Sequence, residues 1–452
     1  MEVVWMERRE ENRLRAWRAY GARDELQPLS RELIDFMSSC KTEREACAWF
    51  EQRLLEMGSS PLERGNNGRI LHFNWHDRAL LAIRLGAEGL KRGMRLVASH
   101  SDSPRLDLKP LPFFEDENAL MADTQYYGGI KSYQWANVPL AIHGVVYRSD
   151  GSKVHVQLGE GDDEPIFLVP DLAPHLDRKL SERKASEAIK GEKLDVLVGG
   201  MPADPDKGQI KAQVLEALRS RYGISEEDFM SAEVYLVPAF KAREVGFDRA
   251  FLAAYGMDDR ACSFLAFKAF SEISRNTPWS CAFLSVDKEE IGSEGISSAQ
   301  SALLEVAIRE MGYDPMEVLS ISEAISADVT AAVDPSYKDV YDPHNSARLG
   351  NGVAICKYTG GRGKSYGSEA PAEFVAKVRG RLERRGVPYQ PGILGKVDEG
   401  GGGTIAKFLA RLGMRVLDMG LPLLSMHSPM EIASKADVFA TKEAFLAFYE
   451  ED

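Results

Sequence analysis

The sequence predicts an α/β fold, a sheet with helices on both faces, into which a β-rich domain is inserted. Three observations carry this. From about residue 246 strand-like and helix-like runs alternate, the pattern of a sheet covered by helices. Between about 106 and 245 the texture changes to short strand signals and turns. Upstream of that stretch lie further strand-like runs that belong with the alternating part, so the β-rich stretch reads as an insertion. The expected division is a discontinuous enclosing domain, 1–105 with 246–452, and an inserted domain, 106–245.

The elements follow in order. Residues 43–57 place Ala46, Phe50, Leu54 and Met57 at helical spacing. Runs at 69–75 and 80–85 read as strands. A third, Arg95-Leu-Val-Ala-Ser, leads into His100-Ser-Asp102-Ser-Pro104, where Pro104 ends the ladder because it lacks a donor. In the insertion, 139–147 and Lys153–Leu158 flank Ser149-Asp150-Gly151, a hairpin signal, and 165–170 and 233–238 are expected strands. The charged stretch 177–193 reads as a solvated helix or loop, or as an arm toward a partner. Beyond it, strand 250–255 leads to helix 259–273, and strand Ser280–Val286 to a turn and a helix near 298–311. A strand at 319–325 ends toward Asp328. Helices are expected at 373–385 and 403–412, a strand at 416–426 ending at His427, and a last helix at 436–449.

Composition narrows the function classes. The 452 residues carry 56 Lys and Arg against 69 Asp and Glu, a net charge of −13. That is the wrong sign for a nucleic-acid or anionic-membrane binder. No apolar run reaches the roughly 18 residues of a membrane span. Residues 1–10 hold Glu2, Glu7, Arg8, Arg9 and Glu10 with no apolar stretch behind them, so no signal peptide is expected. The five cysteines, Cys40, Cys47, Cys262, Cys281 and Cys356, form no Cys-x-x-Cys pair. A disulfide framework and a thiolate zinc site are both disfavoured, and a reducing cytoplasm is the expected compartment. Most of the cysteines have apolar neighbours and read as buried small hydrophobes. Cys40, between Ser39 and Lys41, is expected to be more exposed.

Chemistry concentrates where apolar strands end: His100-Ser-Asp102, Asp258-Asp259, Asp287-Lys-Glu289-Glu290, Asp328 and His427. In open α/β sheets ligands bind beyond the carboxyl ends of the strands. Singly, each has a plain reading: a hydrogen-bonded histidine, a helix cap, a solvated turn. Together, two histidines and several carboxylates without cysteine suit zinc or a similar borderline ion. A hydrolase also needs one unligated carboxylate as general base, and adjacent Glu289 and Glu290 offer one residue for each role if the chain turns there. Ile291-Gly-Ser-Glu-Gly295 supplies a turn.

At these residues the sequence resembles the aminopeptidase I / aspartyl aminopeptidase family of dizinc exopeptidases. Five motifs appear in order: Ser99-His-Ser-Asp-Ser-Pro104, Met257-Asp-Asp259, Lys288-Glu-Glu-Ile-Gly-Ser293, Ser326-Ala-Asp328 and Met426-His-Ser428. The resemblance implies a mixed-sheet zinc-exopeptidase-type catalytic domain and two divalent ions per subunit, zinc first, with cobalt and manganese also suited. It implies His100 and Asp328 on one ion, Asp258 as the bridge, and Glu290 and His427 on the other. Glu289 is then the general base toward a bridging water, and Asp102 orients His100. The family usually carries Asp-Asn at the bridge; here both are acidic, so Asp258 and Asp259 are both candidates, with Asp258 taken as the bridge and Asp259 as a helix-capping neighbour. The implied activity is removal of single N-terminal residues from peptide substrates. The insertion would pair subunits, and the dimers would assemble into a tetrahedral homododecamer, with His175 reaching a neighbour's site. Lys357, beside the loop Gly360-Gly-Arg-Gly-Lys-Ser-Tyr366, falls where the family meets the substrate side chain. The run Gly400–Gly403 lacks the Lys-Ser/Thr of a phosphate loop and reads as close-packed backbone. His72, His76, His143, His155 and His344 match no motif and are read as structural or surface. The alternatives are another dinuclear amide hydrolase, such as a carboxypeptidase or deacylase, and a non-catalytic assembly protein that kept the fold.

Overall fold

The structure is a computed structural model that describes residues 14–63, 68–204, 206, 209–274 and 277–452; the charged segment 1–10 lies outside them. The chain divides into two compact units. One comprises the residues up to Asp102, Ala242–Met426 and Met430–Asp452; the other comprises Ser103–Lys241 and His427–Pro429.

The first unit is built on a nine-stranded mixed sheet. Its order is Ser60–Pro61, Ile70–Trp75, Ala79–Arg84, Ser280–Val286, Met94–His100, Glu323–Ser326, Arg415–Gly420, Val353–Cys356 and Tyr389–Pro391. Ser280–Val286, Met94–His100, Glu323–Ser326 and Arg415–Gly420 are mutually parallel, so their carboxyl ends lie together. Alternation along these strands feeds two cores, as period-2 geometry requires. Cys281, Phe283, Val97, Ile325, Leu417 and Met419 enter the core formed with helices Leu26–Ser39, Glu43–Glu56, Met257–Glu272 and Lys435–Glu450. Ala282, Leu284, Leu96, Ala98, Ala324 and Val416 enter the one formed with Leu303–Glu310, Pro315–Ser320 and Ala406–Arg411. The helices therefore do cover both faces. Phe36, Trp49, Phe50, Phe264, Phe267 and Phe283 stack edge-on or tilted in the first core. Helix Glu43–Glu56 starts at a capping box between Thr42 and Glu45.

In this unit the structure corrects expectations about two strands and a cysteine. The run at 319–325 is not one strand: Asp314 caps a helix whose first residue is Pro315, and only Glu323–Ser326 pairs. The run at 416–426 breaks at Gly420, where a Cβ would sit 2.0 Å from the carbonyl oxygen of Asp328; Pro422–Leu424 joins a separate five-stranded sheet. Cys40 is buried, 4% exposed.

The second unit holds a six-stranded antiparallel sheet, in the order Lys153–Leu158, Leu140–Tyr147, Ala232–Pro238, Arg105–Asp116, Ala119–Tyr127 and Val196–Gly199. Strand Arg105–Asp116 accommodates Pro110 and Pro112 within a register shift between Leu108 and Phe113. The buried Arg105 guanidinium lies between the rings of Tyr127 and Tyr235, 4.1 and 3.7 Å from their centroids. The run at 165–170 forms only isolated bridges, and 177–193 forms short 3₁₀ turns.

Candidate active site

His100 is the last residue of Met94–His100 and is 1% exposed. Its ring is held from one side by Asp102: Nδ1 lies 3.3 Å from Asp102 Oδ1 and 3.1 Å from the Asp102 carbonyl. That leaves Nε2 facing three carboxylates. Asp258 Oδ1 is 3.3 Å away, and Glu289 Oε2 and Asp328 Oδ1 are each 4.0 Å away. Burial works against a charged ring here, but the bonds to Asp102 and Asp258 outweigh it and hold the ring's pKa well above its ordinary value.

The carboxylates arrive from separate elements. Glu289 and Glu290 follow strand Ser280–Val286 in a one-turn 3₁₀ helix, Glu289–Ile291, entered through Lys288 at φ 69° and left through Gly292 at φ 96°. This turn separates the two neighbouring side chains. Asp102 braces it: its Oδ1 and Oδ2 accept the backbone N–H groups of Glu289 and Glu290, each at 3.2 Å. Asp328 follows strand Glu323–Ser326; burial and then the nearby Asp259 push its carboxyl well above the usual range. Asp258 and Asp259, joined by a cis peptide bond, lie at the start of helix Met257–Glu272. The expected capping role of Asp259 is not what it does: it caps no helix N–H, and its Oδ2 accepts the backbone N–H of His100 at 3.2 Å.

Two groups of donor atoms lie within 4.8 Å of one another: His100, Asp258 and Glu290; and His100, Asp259 and Asp328. Imidazole and carboxylates without thiolate are the donor set of zinc and its neighbours, so the residues fit a divalent ion. His427 belongs to the other unit, where its Nδ1 lies 2.8 Å from the Gly129 carbonyl. His175 is exposed in a turn of that unit. Lys357 is exposed just beyond strand Val353–Cys356. The Gly400–Gly403 run is close-packed backbone: Gly402 accepts from Gly360 N at 2.6 Å, and a Cβ on Gly401 would sit 2.5 Å from the Gly360 carbonyl oxygen. Sequence reasoning missed Glu431, whose buried Oε2 accepts the Asp258 N–H at 3.0 Å. It also missed Ser263, whose hydroxyl donates to the His100 carbonyl at 2.7 Å.

A buried histidine with converging carboxylates at the carboxyl ends of parallel strands is the arrangement of a metallohydrolase. Residues 36–449 match the family described as aminopeptidase I zinc metalloprotease (M18), and the chain belongs to that family. It is 46% identical to a probable M18 family aminopeptidase 1 of Thermotoga maritima, over 95% of this chain and 97% of the relative. The crystal structure of an M18-family aminopeptidase from Thermotoga maritima superposes with a TM-score of 0.92 at 44% identity, covering 97% of this chain and 99% of that one. Aminopeptidase I from Clostridium acetobutylicum superposes with a TM-score of 0.90 at 41% identity, covering 96% and 98%. The protein is accordingly a metalloaminopeptidase of the zinc class.

Proposed function

We propose that the protein removes single N-terminal residues from peptides at a centre of two divalent ions, zinc in the first instance, with His100, Asp258, Glu290, Asp328 and His427 as ligands. Asp258 is the shared ligand and Glu289 the general base. The observation that carries this is the split of the two adjacent glutamates: Glu290 joins the donor group of His100 and Asp258, while Glu289 stands 4.0 Å from His100 Nε2 outside both groups. When bound, such ions polarise a peptide carbonyl and make water a nucleophile at neutral pH. Glu289 takes the water's proton and returns it to the leaving amine. Asp102 keeps the His100 ring oriented and the Glu289–Glu290 turn in place. Lys357 meets the substrate side chain, and His175 serves the site of an adjacent subunit.

The Ser103–Lys241 unit is the pairing domain of a tetrahedral dodecamer in this reading. Its exposed Leu172, Leu176 and Leu180 flank His175 and suit burial against another copy. A cytoplasmic setting is supported by the five cysteines, all buried and none in a disulfide. No helix among the described residues is long and apolar enough to cross a membrane.

The test is Glu289→Gln, assayed on unblocked and acetylated aminoacyl-p-nitroanilides. Turnover of the unblocked substrates should fall about 10²- to 10⁴-fold, with metal content unchanged. Retained turnover removes Glu289 from the base role, and cleavage of acetylated substrates would make the enzyme something other than an aminopeptidase.

A further inference from the structure

Asp258 and Asp259 are sequence neighbours, yet they approach His100 from different directions. Asp258 Oδ1 faces the ring nitrogen Nε2, at 3.3 Å. Asp259 Oδ2 instead accepts the backbone N–H of His100, at 3.2 Å. Four residues further along the same segment, Ser263 Oγ donates to the carbonyl oxygen of His100 at 2.7 Å. Arg260 Nη1 reaches the next carbonyl, that of Ser101, at 3.3 Å. His100 is where its strand ends and ladder bonds run out, so its peptide groups need other partners. Side chains at the start of a single helix supply them. Both Asp259 and Ser263 are fully buried, which removes water as a competing partner.

We infer that Asp259 and Ser263 are positioning residues that fix the backbone of His100. This rests on the proposed ligand role of His100. The contrary reading has two footholds: Asp259 shares a donor group with His100 and Asp328, and its buried Oδ1, through which a ligand role would act, has no N–H donor on it, only the Cys262 thiol lying beside the carboxyl. Asparagine separates the two. Its side-chain oxygen can accept the His100 N–H as aspartate does, but it lacks the second anionic oxygen.

The experiment compares Asp259→Asn, Asp259→Ala, Ser263→Ala, Asp258→Asn and His100→Ala. Bound zinc is counted by elemental analysis, and affinity is measured by competition with a chelating dye. Asp259→Asn should keep the wild-type stoichiometry and an affinity within about threefold. Asp259→Ala and Ser263→Ala should keep the stoichiometry at saturating zinc but bind about 10- to 100-fold more weakly, the usual effect of removing a group that holds a ligand in place. Asp258→Asn should lose bound metal. Loss of an ion from Asp259→Asn would make Asp259 a ligand, and wild-type affinity in both alanine variants would remove the positioning role. Full metal content in His100→Ala would overturn the ligand reading beneath the inference, an outcome distinct from the other two. If Asp259→Ala fails to fold, Asp259→Asn and Ser263→Ala still decide the matter.

Discussion

Asp102 is the residue whose removal should be felt most widely in the site, and its effect can be worked from three contacts. The side chain is fully buried. Its two oxygens each accept one peptide N–H, from Glu289 and Glu290, at 3.2 Å, and Oδ1 lies 3.3 Å from His100 Nδ1. In Asp102→Ala the ring nitrogen still has the residue's own carbonyl at 3.1 Å, but the two peptide donors lose their acceptor. A donor left unsatisfied costs about 1–3 kcal/mol when buried; these two bonds are part-buried, so the pair sets an expected loss of about 2–3 kcal/mol. Removing a negative charge from beside other carboxylates offsets part of this. Asp102→Asn is the control, because it removes the same charge and keeps one acceptor oxygen; it should lose about half as much. The assay is denaturant unfolding of chelator-treated protein, followed by zinc affinity, which should fall about 10- to 100-fold in the alanine variant. Stability within about 0.5 kcal/mol of wild type, against the 1–3 kcal/mol expected per orphaned donor, would refute the bracing role. A stability loss with unchanged affinity would confine Asp102 to holding the turn.

The remaining predictions concern pH and assembly. Asp437 is buried and accepts the N–H groups of Gly350 and Gly352 at 2.6 and 2.7 Å, while burial pushes its carboxyl from 3.8 up to about 7. The folded protein thus binds this proton more tightly than the unfolded chain. The contribution to stability is fully present below about pH 4 and is lost as pH rises toward about 7, by at most about 4 kcal/mol at 1.36 kcal/mol per pH unit. The stability of wild type minus that of Asp437→Asn should therefore fall across that window and flatten above it; parallel profiles would sink the argument. Light scattering after gel filtration should give the mass of twelve chains, and a monomer at micromolar concentration would refute the assembly.

How much was legible depends on whether a residue's role is local. Strand Ser280–Val286 and helix Met257–Glu272 announce themselves through apolar patterning, and polar residues at strand ends point to the sheet's carboxyl edge. The strand expected at 319–325 failed because a short apolar run suits either element, and the capping pair Asp314-Pro315 upstream decides for helix. The continuous strand expected at 416–426 failed at Gly420, whose constraint is the distant backbone of Asp328. Cys40 misled for the same reason: the polar neighbour Lys41 is itself buried, 1% exposed.

The candidate site divides along the same line. His100, Asp258, Glu290 and Asp328 were picked by residue type at strand ends, and the fold brings their donor atoms together in two groups around His100, the second of which also includes Asp259. The backbone bonds that hold them were not legible, although Asp102 was expected beside the His100 ring. Glu431 holds the Asp258 backbone, Ser263 and Asp259 hold the His100 backbone, and Asp102 holds the Glu289–Glu290 turn. Each of these bonds runs from a side chain to a peptide group in a different segment, 159 to 188 residues away in sequence. No local pattern specifies such a bond, because Ser, Asp and Glu at those positions also read as ordinary helix or turn residues. The candidate donor types can therefore be read from the chain, while their mutual placement is set by buried acceptors and donors that only the folded topology brings to them.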